Sequence, residues 1–344
     1  MAKKLVEDPR IDPRIKAVMG AMPDAVAQPD ATSRQQLVDA ANSPQAAQMR
    51  AASTAMFEMM DNEAVAPSAG LAVTEHRIQS QPDGNWINLR VVRTEGGAVL
   101  PCVYYIHGGG MQSLSAYDGM YRAWGRIIAA NGVAVVFVDF RNCLTPSSAP
   151  EVAPYPAGLN DCVAGLKWVA AHASELHIDT GRIVVAGESG GGNLTLATGL
   201  KLKRDGDLAL IQGLYALCPY IAGQWPQAQY PSSTENNGIL LDLHNNHPVI
   251  SYGIEAWEAQ DPLAWPGLAS DEELKGLPPT VISVNECDPL RDEGIAFYRR
   301  LLAAGVPARG RMMLGTIHAT ELMAITCPDV SRDTASDIAR FAKG

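Results

Sequence analysis

Apolar positions change their period along this chain. Through residues 1 to about 70 they recur at helical spacing, as in Ile15 with Val18 and Met19, and Met56 with Met59 and Met60. That spacing gathers them on one helix face and predicts helices without strands. From Leu71 the period shortens. Leu71 to Ile78 and Trp86 to Val92 predict an opening antiparallel pair of strands. Short apolar runs follow at Val103 to Ile106, Val133 to Val138, Ile183 to Ala186, Ile211 to Leu217, Val281 to Val284 and Arg311 to Leu314. Helix-forming segments separate them, so repeated βαβ units and a mostly parallel sheet are expected: an α/β fold.

The alternation breaks between Pro219 and about Gly276, where Pro, Asn and Trp accumulate. So long an excursion inside a compact domain reads as a lid or a binding loop. The predicted organisation is a helical part over 1–70, an α/β core over 71–218 and 277–344, and an insertion over 219–276.

Composition narrows the function. At 344 residues the chain can build one large core with a cap over it, and 47% hydrophobic against 19% charged residues is ordinary for a folded domain. A formal net charge of −10 argues against nucleic acid or an anionic membrane surface as partner. No apolar run reaches transmembrane length, and Met1 to Asp8 lacks the apolar stretch of a secretory signal, so a cytoplasmic location is expected. The six cysteines form no Cys-x-x-Cys pair and read as buried thiols rather than zinc ligands or a disulfide framework.

Chemistry concentrates at a few turns. Arg182 to Ala186 is strand-like, Asn193 to Ala197 is helix-like, and between them stands Gly187-Glu188-Ser189-Gly190-Gly191. A strand, Gly-x-Ser-x-Gly and a helix make a nucleophile elbow, with Ser189 thrust above the sheet edge. Upstream, the strand ending at Ile106 runs into His107-Gly108-Gly109-Gly110. Acyl transfer places negative charge on a carbonyl oxygen, and main-chain amides must already point at it. The expected donors are the amides of Gly109, Gly110 and Gly190, with His107 holding the loop by hydrogen bonding.

A serine hydroxyl needs a base, and the base an orienting carboxylate. His318 follows a strand-like segment and the turn residues Gly315-Thr316, which makes it the candidate base; His244 and His247 lie in a polar segment and read as loop histidines. Past the strand Thr280 to Val284, Asp288 is the leading acid and Glu286 the second, while Asp292 and Glu293 read as first-turn residues of the next helix.

With these residues in order, the chain resembles the hormone-sensitive lipase family of α/β-hydrolase esterases. The match rests on His107 to Gly110, Gly187 to Gly191, Asp288 to Gly294 and His318, with supporting elements at Val138 to Arg141, Tyr155 to Ala157 with Asp161, and Gly276 to Pro279. The resemblance spans roughly residues 70 to 340. It implies an α/β-hydrolase fold, hydrolysis of short- to medium-chain carboxylic esters through an acyl-serine, and no metal or organic cofactor. It also implies that the insertion and the amino-terminal helices form a cap, and that a homodimer can form. An acyltransferase or amidase with the same triad, and a non-catalytic receptor, stand as alternatives.

The chain departs from the family pattern at Met111, commonly Phe, and at Glu188 and Gly190 around the serine. Glu188 is expected to bond to backbone rather than to tune the histidine. Asn142 to Pro154 is longer than usual and is expected to loop near the site. Among apolar residues of the predicted cap, Met56, Met59, Met60, Trp225, Leu240, Leu241 and Trp257 either line a pocket or pack the cap, and Tyr215 to Tyr220 is a further pocket candidate.

Overall fold

The sheet order β1-β2-β4-β3-β5-β6-β7-β8 decides where any site can sit. The computed structural model describes residues 4–20 and 27–344. Its eight strands are β1 (Leu71–Gln79), β2 (Trp86–Thr94), β3 (Leu100–Ile106), β4 (Ala134–Asp139), β5 (Ile178–Glu188), β6 (Gly213–Leu217), β7 (Thr280–Asn285) and β8 (Ala308–Met313). β1 pairs with β2, and β2 with β4, antiparallel; every later pairing is parallel. The expected α/β fold is found, and all parallel strands present their carboxyl ends at one edge, where ligands of such sheets bind.

Before the sheet come α1 (Lys4–Glu7), α2 (Pro13–Met19), α3 (Arg34–Ala41) and α4 (Pro44–Glu58). Between strands run α5 (Gly119–Ala129), α6 (Ala157–Ala171), α7 (Ala173–Leu176) and α8 (Gly190–Asp205). The excursion after β6 holds only short helices, α9 (Ser232–Glu235), α10 (His247–Tyr252), α11 (Ile254–Glu258) and α12 (Asp271–Leu274); α13 (Arg291–Ala303) and α14 (Pro328–Lys343) complete the core.

Alternation along the strands sorts the core into two layers. Tyr104 and Ile106 face a cluster with Leu166 of α6 and Leu196 of α8, while Val103 and Tyr105 face the other side with Trp124 of α5 and Ile338 of α14. Both layers are fully apolar at the sheet, as a parallel sheet covered by helices requires. A buried charge among the exceptions is paired. Asp161 accepts from Ser80, Asn85 and the Arg141 guanidinium, whose Nε lies 2.8 Å from it.

Strand limits differ from expectation where burial is incomplete. β8 begins at Ala308, three residues before the expected run Arg311 to Leu314, and lies at the sheet edge with Met312 half exposed. β5 begins at Ile178, because Asp179 to Arg182 continue the strand past a register shift against β3. His247 heads α10 instead of lying in a loop, its ring bonded to the Pro29 carbonyl.

Candidate active site

Glu188 closes β5 and Gly190 opens α8, so Ser189 occupies the turn alone, at φ 56° and ψ −120°. A side chain held at such a φ is strained, and the flanking packing over-determines it. The packing is tight: a Cβ on Gly191 would lie 2.0 Å from the Ile106 carbonyl oxygen. Only glycine lets α8 come this close to the end of β3. Ser189 is partly exposed and borders a cavity of about 600 Å³, a size suited to a small organic ligand.

The loop after β3 borders the same cavity with Gly109 and Gly110, at φ 91° and 63°. Among the described residues, neither amide is taken by a protein acceptor. The Gly190 amide stands at the first position of α8, where a helix leaves its N–H groups without an internal partner. The α-carbon of Gly190 faces this loop, for a Cβ there would meet the Gly110 nitrogen at 2.7 Å. Gly109, Gly110 and Gly190 therefore lie close together beside Ser189.

Behind the loop, His107 stacks on Phe140 at 4.3 Å between centroids, and its Nδ1 lies 3.0 Å from the Gly108 carbonyl. It is buried and stays away from the cavity lining, as a loop-holding residue should. The long 142–154 segment braces the loop from the other side. The Cys143 amide donates to Met111 O at 2.8 Å, and the Asn142 side chain to Leu114 O at 2.8 Å.

Asp288 lies just beyond β7 and His318 beyond β8. Their side chains meet: Asp288 Oδ2 is 2.7 Å from His318 Nδ1, and both are buried. Asp288 Oδ1 accepts the Leu290 amide at 2.9 Å, which fixes the carboxylate. Burial opposes a charge on the ring, but Asp288 and the Cys218 sulfur beside it together outweigh burial and hold the histidine well above its ordinary range. Glu286, the second candidate acid, does not reach the ring; it accepts the Gly315 amide at 2.7 Å and so ties the loop of Asp288 to the loop of His318. His318 borders the cavity together with Ser189, and no hydrogen bond joins the two side chains. Such contacts are often open in an unliganded site and close with substrate.

Cys218 was not foreseen. It follows β6 at φ 33°, and its sulfur, a carboxylate oxygen of Asp288 and a ring nitrogen of His318 all lie within 4.8 Å of one another. Burial pushes the thiol up to about 11, so at neutral pH and without a metal it is a neutral S–H beside the imidazole.

The apolar candidates separate cleanly. Met56, Met59, Met60, Leu240, Leu241 and Tyr220 line the cavity. Trp225 instead stacks on Tyr220 at 4.7 Å between centroids, and Trp257 packs against the main core. Tyr215 points to the opposite sheet face, with its hydroxyl on Asp337 at 2.7 Å. Glu293 is in the first turn of α13 as expected, yet it is buried and accepts from the Ile221 and Ala222 amides at 2.7 and 3.0 Å.

Comparison with known proteins agrees with this layout. Residues 103–322 match the family described as alpha/beta hydrolase fold. The chain belongs to the α/β-hydrolase fold family. Carboxylesterase NlhH of Mycobacterium tuberculosis is 34% identical over 250 residues, covering 71% of this chain and 74% of that protein. A solved structure of a serine-to-alanine mutant of esterase Est22 is 63% identical, covers 99% of this chain and 100% of its own, and superposes with a TM-score of 0.98. Est22 has also been solved with p-nitrophenol. Brefeldin A esterase, a bacterial homologue of human hormone-sensitive lipase, is 37% identical over 98% of this chain and 94% of its own, with a TM-score of 0.85. This α/β-hydrolase is thus a carboxylic ester hydrolase of the hormone-sensitive lipase type. Among its described residues, no helix is long and apolar enough to cross a membrane.

Proposed function

We propose that the enzyme hydrolyses short- to medium-chain carboxylic esters through an acyl-serine intermediate, with Ser189, His318 and Asp288 as triad. The observation that carries the reading is the 2.7 Å Asp288–His318 contact at the cavity where Ser189 stands on its elbow. Asp288 occupies Nδ1 and leaves Nε2 to take the serine proton. Ser189 Oγ attacks the ester carbonyl as that proton moves to Nε2, and Asp288 stabilises the charged ring. The amides of Gly109, Gly110 and Gly190 receive the oxyanion. The ring then protonates the leaving alcohol, and water repeats the sequence to free the acid.

In this reading the amino-terminal helices and the 219–276 segment act as a cap. Its contribution to the cavity, Met56, Met59 and Met60 from one side and Leu240 and Leu241 from the other, supports an apolar acyl or alcohol group as ligand. The acidic composition fits a neutral rather than an anionic substrate.

An organophosphate tests the assignment directly. It should add one phosphoryl group to Ser189, located by peptide mass, and abolish turnover of p-nitrophenyl butyrate in proportion. Labelling at any other residue, or turnover that survives full labelling, would overturn it.

A further inference from the structure

We infer that Glu188 is the positioning residue of the oxyanion loop, tying that loop to the residue before the nucleophile; the inference rests on the acyl-serine reading above. Glu188 ends β5 and is 2% exposed. Its Oε1 accepts the Gly108 amide at 2.6 Å and the Tyr121 hydroxyl at 2.6 Å, while Oε2 accepts the Tyr105 hydroxyl at 2.7 Å. The Gly108 amide also reaches the Tyr121 oxygen at 2.9 Å, which closes a ring of hydrogen bonds. Tyr105 comes from β3 and Tyr121 from α5, so three elements converge on one carboxylate. Gly108 precedes Gly109, one of the expected donors. Through Gly108, the loop's height above Ser189 is set by the side chain of the residue whose carbonyl forms the peptide bond to that serine.

The chemistry of the tether matters as much as its place. All three partners donate, and a carboxylate accepts every one of them, whereas a carboxamide would set its own N–H₂ against a donor. A residue that merely filled the space would avoid a buried negative charge near a forming oxyanion, since like charges repel strongly at low dielectric. The carboxylate stands where it opposes the transition state electrostatically, so what it contributes is geometry. Amides preorganised at the oxyanion position dominate acyl-transfer rates, and a displacement on the order of 1 Å costs roughly 10²-fold.

The experiment compares wild type, Glu188→Gln, Tyr105→Phe, the double variant and Tyr121→Phe with p-nitrophenyl butyrate, each normalised to active sites titrated with organophosphate. A trifluoromethyl ketone, which forms a hemiketal with the nucleophilic serine, is the second readout. Its binding to wild type and not to Ser189→Ala tests the underlying reading separately. Glu188→Gln should lower kcat about 10²-fold with KM nearly constant, and weaken the ketone by a similar factor. Adding Tyr105→Phe should recover about tenfold, because the carboxamide N–H₂ then faces no opposing hydroxyl. If Glu188→Gln does not fold, Tyr105→Phe and Tyr121→Phe carry the test, each lowering kcat several-fold at unchanged KM. An unchanged kcat per titrated site in the folded variants would overturn the inference while leaving the triad intact.

Discussion

Asp288 Oδ2 and His318 Nδ1 stand 2.7 Å apart across a sequence separation of 30 residues, and this contact sets the protonation behaviour of the site. That carboxylate, with the Cys218 sulfur beside the ring, holds the ring's pKa well above the ordinary histidine value of 6.5 against the effect of burial. A base must be neutral to accept the serine proton, so a raised pKa delays activity to higher pH. The acid limb of the kcat/KM profile should therefore rise through a pH clearly above 6.5, and activity at pH 6 should be a small fraction of the alkaline plateau. A limb centred at or below 6.5 would contradict the assigned influence of Asp288. The same shift has a stability sign: a histidine with raised folded pKa stabilises fully below about 6.5 and loses that contribution as pH climbs through the raised value.

Ser189→Ala should separate chemistry from folding. Position 189 already carries a Cβ at φ 56°, so alanine inherits the same strain and removes only the hydroxyl. Turnover should drop on the order of 10⁴-fold or more, because triad members act as a unit. The melting temperature should stay within about 2 °C of wild type, since a change well under 1 kcal/mol moves a domain of this size little. Esterase assay and calorimetry on the same preparation check both halves.

Gly190→Ala probes the oxyanion pocket without touching the triad. A Cβ at position 190 would lie 2.6 Å from the Met111 nitrogen and 2.7 Å from that of Gly110. These are main-chain atoms, so the loop must back away and carry its amides with it. We expect kcat to fall by about 10²-fold, the cost of a lost or displaced donor, while KM changes little. Steady-state kinetics decide it, and full activity would mean that the loop moves without functional consequence.

Local patterns were legible in the sequence; relations across elements were not. Ser189 and the glycines of both turns announce themselves within five residues, because elbow and loop chemistry is contiguous. His318 and Asp288 could be placed from the strands before them, and the distance between them needed coordinates. Tyr105 and Tyr121 gave no signal, since a buried tyrosine in an apolar run reads as core until its hydroxyl is seen on Glu188. Cys218 looked like any other buried thiol. The cap residues Met56 and Trp225 carried the same apolar label, and only packing shows the first at the cavity and the second stacked behind Tyr220. β8 was expected where it lies, and only its start at Ala308 was blurred, because an edge strand buries only part of its surface.

Glu293 anchors the segment after β6 and makes stability depend on pH in a direction opposite to most carboxylates. It is buried at the start of α13 and accepts from the amides of Ile221 and Ala222 and from the Trp225 indole. Burial outweighs these bonds and pushes its pKa up to about 8, with nearby Asp288 adding to the rise. The folded state therefore binds this proton more tightly than the unfolded chain, whose value lies near 4.5. Between these two pH values the native state holds more protons than the unfolded one, and stability falls as pH rises. Glu293→Gln cannot titrate, so its stability should be flatter than wild type from pH 5 to 9, and the gap between the two curves should change mainly below about pH 8. At fixed pH the variant keeps one oxygen for the two amides but turns an N–H₂ toward Trp225, an opposed donor pair that should cost about 1–3 kcal/mol. Urea midpoints measured at several pH values for both proteins give the slope and the offset together. Parallel curves would show that Glu293 does not change its charge over this range.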